Sequence, residues 1–283
     1  MRLPFRKMHG IGNDFVVLDA RVRPIALAPA DIVAIANRRT GVGADTIVVI
    51  EPAEEEEADV FVRFHNADGS DIGTCGNATR CIAMLLFAET GRDRVRIATE
   101  DGLLEAWRAV DGIAVDMGRP RLKWSDIPLS EPADTLHLPL SGPLADPVGV
   151  SMGNPHAVFF VEDAEAIELT ELGPAVEHAP LFPERTNVEI ATIEAPDRIR
   201  LRVWERGVGI TLACGSGACA TLVAAARRGL AGRKATLVLD GGDLTIEWRA
   251  DDHVIMTGPA ITSFTGEIDE TLLPSAQRRA AAA

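Results

Sequence analysis

The chain is poor in lysine: Lys7, Lys123 and Lys234 are the only three in 283 residues. Pyridoxal-phosphate chemistry needs a Schiff-base lysine. None of the three stands in a phosphate-loop context, so chemistry without a cofactor is expected. Positive charge is scarce as a whole, with 28 Lys and Arg against 42 Asp and Glu and a net charge of −14. That balance excludes the basic footprint of a nucleic-acid binder. Only four cysteines are present, too few for a disulfide scaffold, which points to a reducing, cytoplasmic setting. The longest unbroken apolar run, Cys81 to Ala88, is too short to cross a bilayer. The opening stretch MRLPFRKMHG lacks the apolar core of a signal peptide. No membrane partner is expected. The short Thr40-Gly-Val-Gly-Ala44 stretch is too weak for a dinucleotide site. With 47% hydrophobic and 25% charged residues, the composition is that of an ordinary globular protein long enough for two domains.

What the chain does contain is a repeat. VFVRFHNADGSDIGTCGNATRC (Val60 to Cys81) recurs as IRLRVWERGVGITLACGSGAC (Ile199 to Cys219), with Cys75 and Cys214 offset by 139 residues. Asn66 precedes the first cysteine by nine residues and Glu205 precedes the second by nine. Gly12-Asn13 recurs as Gly153-Asn154 and Trp107-Arg108 as Trp248-Arg249, both offset by 141, and Met117 recurs as Met256, offset by 139. Two copies at so long a period indicate a duplicated domain.

Short Val- and Ile-rich runs with period-two alternation predict strands at Asp14–Leu18, Thr46–Ile50, Val60–Phe64, Val95–Ala98, Ile113–Val115, Ala157–Val161, Ile199–Val203 and Leu244–Trp248. Helices are predicted at Asp31–Arg39, with Asp31 as N-cap, and after the motif cysteines at Asn77–Thr90 and Ser216–Leu230. The last two are apolar over most of their surface, the mark of a buried helix. The fold expected is α+β, with two pseudo-symmetric domains, each an antiparallel barrel-like sheet wrapped around a central helix. The proline-dense stretch Pro120–Pro147 reads as a crossing between them. The expected domains are 1–117 with 264–283, and 118–263. The tail Ser275–Ala283 is expected to be weakly ordered.

A cysteine at a helix N-terminus meets unpaired N–H groups and the positive end of the dipole, which lowers a thiol pKa and makes a base or nucleophile. Cys75 and Cys214 both hold this place. Gly76-Asn77 and Gly215-Ser216 follow them and let backbone N–H groups approach an anion such as a carboxylate. Two such half-sites can address one carbon from opposite faces, one thiolate removing an α-proton and the other thiol supplying one. Cys81 and Cys219 fall inside the apolar helices and read as core. The Cys-x5-Cys and Cys-x4-Cys spacings do not match zinc knuckles, so no metal is expected. A Cys75–Cys214 disulfide formed on oxidation would inactivate such a pair. His156, after Gly153-Asn154-Pro155, is a candidate with a structural role as its plain alternative. Asn13, Asn66, Asn154 and Asn187 lie in turn-like contexts. Glu205-Arg206 is either a surface ion pair or a pocket placing Glu205 on an ammonium and Arg206 on a carboxylate.

Together KMHGIGNDF, FHNADGSDIGTCGN, SMGNPH, FPERTNVE and WERGVGITLACGSGACA resemble the diaminopimelate epimerase family, in order and over essentially the whole chain. The resemblance implies two similar α/β domains with the active site in the cleft between them. It also implies cofactor-independent interconversion of LL- and meso-diaminopimelate, on the route to lysine and peptidoglycan. It implies Cys75 and Cys214 as the acid/base pair, with His156 and Glu205 tuning the thiols. Substrate contacts are implied at Asn13, Thr46, Asn66, Asn154, Asn187, Glu205 and Arg206, and at the backbone cradles Gly76-Asn77 and Gly215-Ser216. The small-molecule substrate is the one partner implied, and a homodimer is expected as the commonest assembly. The chain departs from the family pattern at Thr46, where many members have Gln, and at His65, Ala78-Thr79 and Ile210. The rival readings are a two-thiol racemase of proline, hydroxyproline or another amino acid, and a non-catalytic binding or thiol-redox protein using the same cradle.

Overall fold

A computed structural model describes residues 2–276. The chain runs β1 (Arg2–Gly10), β2 (Asn13–Asp19), α1 (Pro29–Ala36), β3 (Thr46–Glu51), β4 (Val60–Asn66), β5 (Asp71–Ile72), α2 (Gly76–Thr90), β6 (Arg94–Thr99), β7 (Gly102–Ala109), β8 (Gly112–Asp116), β9 (Val148–Ser151), β10 (Pro155–Phe160), α3 (Leu169–Glu177), β11 (Asn187–Ala195), β12 (Arg198–Glu205), β13 (Gly209–Thr211), α4 (Gly215–Arg227), β14 (Lys234–Leu239), β15 (Gly242–Trp248), β16 (Val254–Gly258) and β17 (Ile261–Asp269). It divides into two compact units, Met1–Val115 with Pro259–Ala283, and Asp116–Gly258.

The two units use one pairing scheme. In the first, β1 pairs antiparallel with β2, β2 runs parallel to β3, β3 antiparallel to β4, β4 parallel to β6, and β6, β7 and β8 follow as a meander, with short β5 beside β4. In the second, β9 to β16 repeat every one of these pairings in the same order. The first unit adds β17 alongside β1. Antiparallel pairs predominate, but each unit contains two parallel neighbours. A parallel neighbour needs a long crossover. α1 and α2 lie in the crossovers of the first unit, α3 and α4 in those of the second.

Burial explains why α2 and α4 take the centre. Ala78, Cys81, Ile82, Ala83, Leu86 and Phe87 are buried on α2, and ten of the thirteen residues of α4 are buried, among them Cys219, Leu222 and Val223. α4 packs against strands from β9 to β16 of its own unit, and α2 against β1, β6 and β7. Cys81 therefore behaves as core, with burial pushing its thiol up to about 12. A second apolar layer lies under α1, with Ile32, Ile35 and Ala36 against Val16, Leu18 and Ile47. Its counterpart under α3 joins Leu169 and Val176 to Phe159, Val188 and Ile190.

All eight expected strands are present, most of them extended by a residue or two. The helices differ at their ends. α1 begins at Pro29, with Ala28 as N-cap, and Asp31, third in the helix, instead reaches back to accept the Ala28 N–H, one half of a capping box whose other half alanine has no side-chain oxygen to make. α4 stops at Arg227, because Gly229 turns left-handed at φ 67° and the N–H of Leu230 folds back to the Ala225 carbonyl. α3 had no sequence signal, since Pro174 interrupts its pattern. Of the tail expected to be weakly ordered, all but Ser275 and Ala276 lies outside the described residues. Among the described residues no helix is long and apolar enough to cross a membrane.

Candidate functional site

In each unit the motif cysteine is the N-cap of the central helix. Cys75 has extended backbone at φ −143° before α2, and Cys214 has φ −116° before α4. Both sit over the first N–H groups of a mostly buried helix, which have no partner within the helix itself and favour anionic charge.

In the first unit the hairpin between β1 and β2 aims a side chain at Cys75. Its two-residue turn, Ile11-Gly12, takes left-handed φ values of 48° and 88°, as a tight hairpin of this hand requires. Ile11 pays a strain cost for that backbone. Asn13 follows, and its Oδ1 lies 3.9 Å from Cys75 Sγ and accepts from Asn77 Nδ2 at 3.2 Å. Asn13 Nδ2 donates to Asp45 at 3.1 Å. Arg38 donates to Asp45 at 2.6 Å and to both carboxylate oxygens of Asp14, which also receives Lys7 Nζ at 2.5 Å. Lys7 further donates to the Gly43 carbonyl, so the Thr40–Ala44 loop is a brace for charge. Burial alone would raise the Asp14 carboxyl, but the bonds from Arg38 and Lys7 outweigh it and hold the group well below the carboxylate range. Thr46 is buried and pairs across the sheet with Asn66. The Asp45 carbonyl accepts from Ala67, next to Asn66. Asp45 thus ties Asn13, Thr46 and Asn66 to one end of the sheet.

In the second unit a single chain of polar contacts leads to the thiol. Cys214 Sγ accepts from Gly217 N–H at 3.4 Å and lies 3.6 Å from Ser216 Oγ. Ser216 Oγ accepts from Asn154 Nδ2 at 3.3 Å, and Asn154 Oδ1 meets His156 Nε2 at 3.0 Å. His156 Nδ1 is 2.7 Å from Glu189 Oε1, with both side chains wholly buried. Burial pushes the Glu189 carboxyl up, with the facing imidazole pulling the other way. Gly217 is tied to this packing, since a Cβ there would come within 2.8 Å of Glu189 Oε1. The Cys214 thiol is not lowered as its helix-start position led us to expect. Burial, then the nearby carboxylates of Glu205 and Glu189, push it well up against the bonds from Ser216 and Gly217. Asn187 donates to the Pro155 carbonyl at 2.9 Å and accepts the Arg206 N–H at 2.9 Å, which ties the start of β10 to the turn bearing Glu205 and Arg206.

The expected residues thus form two clusters: Cys75, Asn77 and Asn13 with Thr46 and Asn66, and Cys214, Ser216, Asn154 and His156 with Asn187, Glu205 and Arg206. Gly76 and Gly215 are the first residues of the two helices, both buried. Sequence reasoning missed Asp45, Glu189 and the Lys7–Asp14–Arg38 group. Glu189 did carry a signal, as an acidic residue inside the buried run Val188–Ala191 of β11. Among the described residues no group of three or more His, Cys, Asp and Glu side chains is placed to hold a metal ion.

A family model described as diaminopimelate epimerase matches residues 5–123 and 148–263. A diaminopimelate epimerase of Rhodospirillum centenum is 60% identical over 95% of this chain and 94% of the relative. One of Acidiphilium cryptum is 58% identical over 95% of this chain and 98% of the relative. Among solved structures, a hydroxyproline epimerase from Agrobacterium vitis superposes with a TM-score of 0.67 at 15% identity, covering 98% of each chain. A probable proline racemase from Agrobacterium radiobacter gives 0.69 at 16% identity, covering 97% of this chain and 95% of that one. At such identities these two share the fold, which matches the two similar α+β units described above.

Proposed function

The chain belongs to the diaminopimelate epimerase family, and on that premise we propose that it interconverts LL- and meso-diaminopimelate with two thiols and no cofactor. The observation that carries the reading is the repeated one: each unit caps its central helix with a cysteine, Cys75 on α2 and Cys214 on α4. One thiolate takes the α-proton, the electron pair passes into the adjacent carboxylate, and the opposite thiol delivers its proton to the other face. Each turnover leaves the two sulfurs with exchanged protonation. The N–H groups of Gly76-Asn77 and Gly215-Ser216 stabilise the charge that develops on that carboxylate. Glu205 takes a substrate ammonium and Arg206 the distal carboxylate, while Asn13, Thr46, Asn66, Asn154 and Asn187 supply the remaining polar contacts. The ammonium neutralises one of the two carboxylates that push the Cys214 thiol up, so substrate binding itself brings that thiol toward a working value. The chain from His156 through Asn154 and Ser216 supports tuning of the same sulfur. On this reading each expected domain, 1–117 with 264–283 and 118–263, contributes one thiol, and the enzyme works in the cytoplasm as a homodimer.

The test is proton NMR of LL-diaminopimelate in D₂O with the purified protein, reductant and chelator, without pyridoxal phosphate. Loss of the α-proton signal together with appearance of the meso isomer is expected. Absence of exchange with both thiols confirmed as reduced rejects the substrate. Turnover of proline or hydroxyproline instead would select the rival racemase reading.

A further inference from the structure

The turn that carries Glu205 and Arg206 has a counterpart in the first unit, and the two are braced differently. The first-unit turn, Asn66 to Ser70 between β4 and β5, holds itself. Asp68 Oδ1 accepts from the Ser70 N–H at 2.9 Å and the Ser70 hydroxyl at 2.6 Å, and Asn66 Nδ2 donates to Ser70 Oγ at 3.0 Å. At the repeat offset of 139, Gly207 stands in place of Asp68 and Gly209 in place of Ser70. Both bracing side chains are therefore gone. The turn keeps its closing bond, Val208 N–H to the Glu205 carbonyl at 3.0 Å, and left-handed φ values of 76° at Gly207 and 105° at Gly209. Two glycines favour that backbone but also leave it the most freedom to lose.

The brace comes from another element. Glu177, the last residue of α3, accepts from the Gly207 N–H at 3.0 Å with Oε1 and from the Trp204 indole N–H at 2.7 Å with Oε2. Those two donors flank Glu205-Arg206 in the chain. Arg185 lies 3.5 Å from the same carboxylate, and the Glu177 side chain is only 5% exposed. As a stability device it is poorly sited. A carboxylate at a helix C-terminus meets the negative end of the dipole, and a buried charge costs solvation that an apolar side chain would not. What the position does achieve is a fixed geometry on both sides of the dipeptide, with Asn187 pinning the Arg206 N–H between them.

We propose that Glu177 is a positioning residue that holds the Glu205–Arg206 turn and so sets affinity for the end of the substrate that Arg206 binds. This rests on the proposed role of Arg206. The experiment compares KM and kcat for diaminopimelate in the full chain, Glu177→Gln, Arg206→Met and the double variant. The Gln amide would turn an N–H group toward one of the two donors. A shift of the order of 1 Å at a binding group is enough for an expected 10- to 100-fold rise in KM, with kcat held within about threefold. Because Glu177 acts through the turn, Glu177→Gln adds less than about threefold to the KM of Arg206→Met. A folded Glu177→Gln chain with unchanged KM overturns the proposal, and so does a full further 10-fold loss on the Arg206→Met background. Unchanged KM in Arg206→Met overturns the reading of Arg206 and the proposal with it. If Glu177→Gln does not fold, Trp204→Phe removes the indole donor alone. An increase in KM of about threefold to 10-fold is then expected, and no change rejects the brace.

Discussion

Phe15 pairs with Thr46 across the parallel strands of the first unit, and His156 pairs with Asn187 at the matching place in the second. Two residues further along the partner strand stand Val48 and Glu189. All four side chains are fully buried. One backbone scheme thus encloses an apolar pair in one half and an imidazole–carboxylate pair in the other. Replacing a buried ionic pair by apolar residues of similar size is often neutral or stabilising. The first unit shows that this fold tolerates that solution. What sets His156 and Glu189 apart is where their contacts lead, through Asn154 and Ser216 to Cys214. Around Cys75 the charges sit on the rim instead, on Arg38 and Asp45, about half exposed, with Asp14 and Lys7 beneath them.

The strongest way to break the comparison is at the sulfurs themselves. If the halves are unequal in electrostatics but equal in catalytic need, Cys75→Ser and Cys214→Ser should each lower kcat by about 10²- to 10⁴-fold. Near-normal epimerisation by either variant would show that one thiol suffices. The next effect is on stability. Glu189→Val should lose about 3–5 kcal/mol in urea unfolding, because it strands a buried imidazole. His156→Phe combined with Glu189→Val copies the first unit into the second and should recover most of that loss while activity stays low. A double variant as unstable as the single one would mean that shape, not pairing, holds this part of the core.

The repeat makes much of this legible in the sequence. Short Val- and Ile-rich runs marked all eight expected strands, because at least one face of each is buried, and in β3 and β10 both faces are. The paired Cys-Gly steps marked both helix starts, because an N-cap needs a break in the pattern that sequence displays. Glu177 is a single acidic residue at a helix end, where nothing local separates a buried acid from a solvated one, whereas Glu189 is marked only by its place inside an apolar strand run. Asp45 meets Asn13 directly and Arg38 meets Asp45, and Asn13 comes beside Cys75 only once the sheet has formed. The parallel neighbours were hidden because pairing order depends on the crossovers, and α3 was masked by Pro174. The rise at Cys214 was missed for a related reason. Its causes, burial and two carboxylates, are tertiary, whereas the helix dipole that argues the other way can be read from the chain.

The smallest expected effect sharpens the contrast on the rim. The Arg38 side chain is 57% exposed and bridges Asp14 and Asp45, so Arg38→Gln should cost less than about 1 kcal/mol at neutral pH, shrinking further in high salt. Its clearer mark is in acid. The folded Asp14 carboxyl is held below its unfolded value of about 4. The folded state therefore binds fewer protons than the unfolded one as pH falls through that region. The stabilisation is complete above about pH 4 and is lost progressively below it. Removing Arg38 lets the Asp14 carboxyl rise toward the ordinary range, which reduces the stability lost on acidification and flattens the acid limb of a pH–stability curve. Lys7 remains beneath Asp14, so the flattening is partial. Urea midpoints measured from pH 3 to 7 decide the matter. A loss at neutral pH as large as that of Glu189→Val would place the first unit's charges on the same footing as the buried pair and erase the distinction between rim and interior.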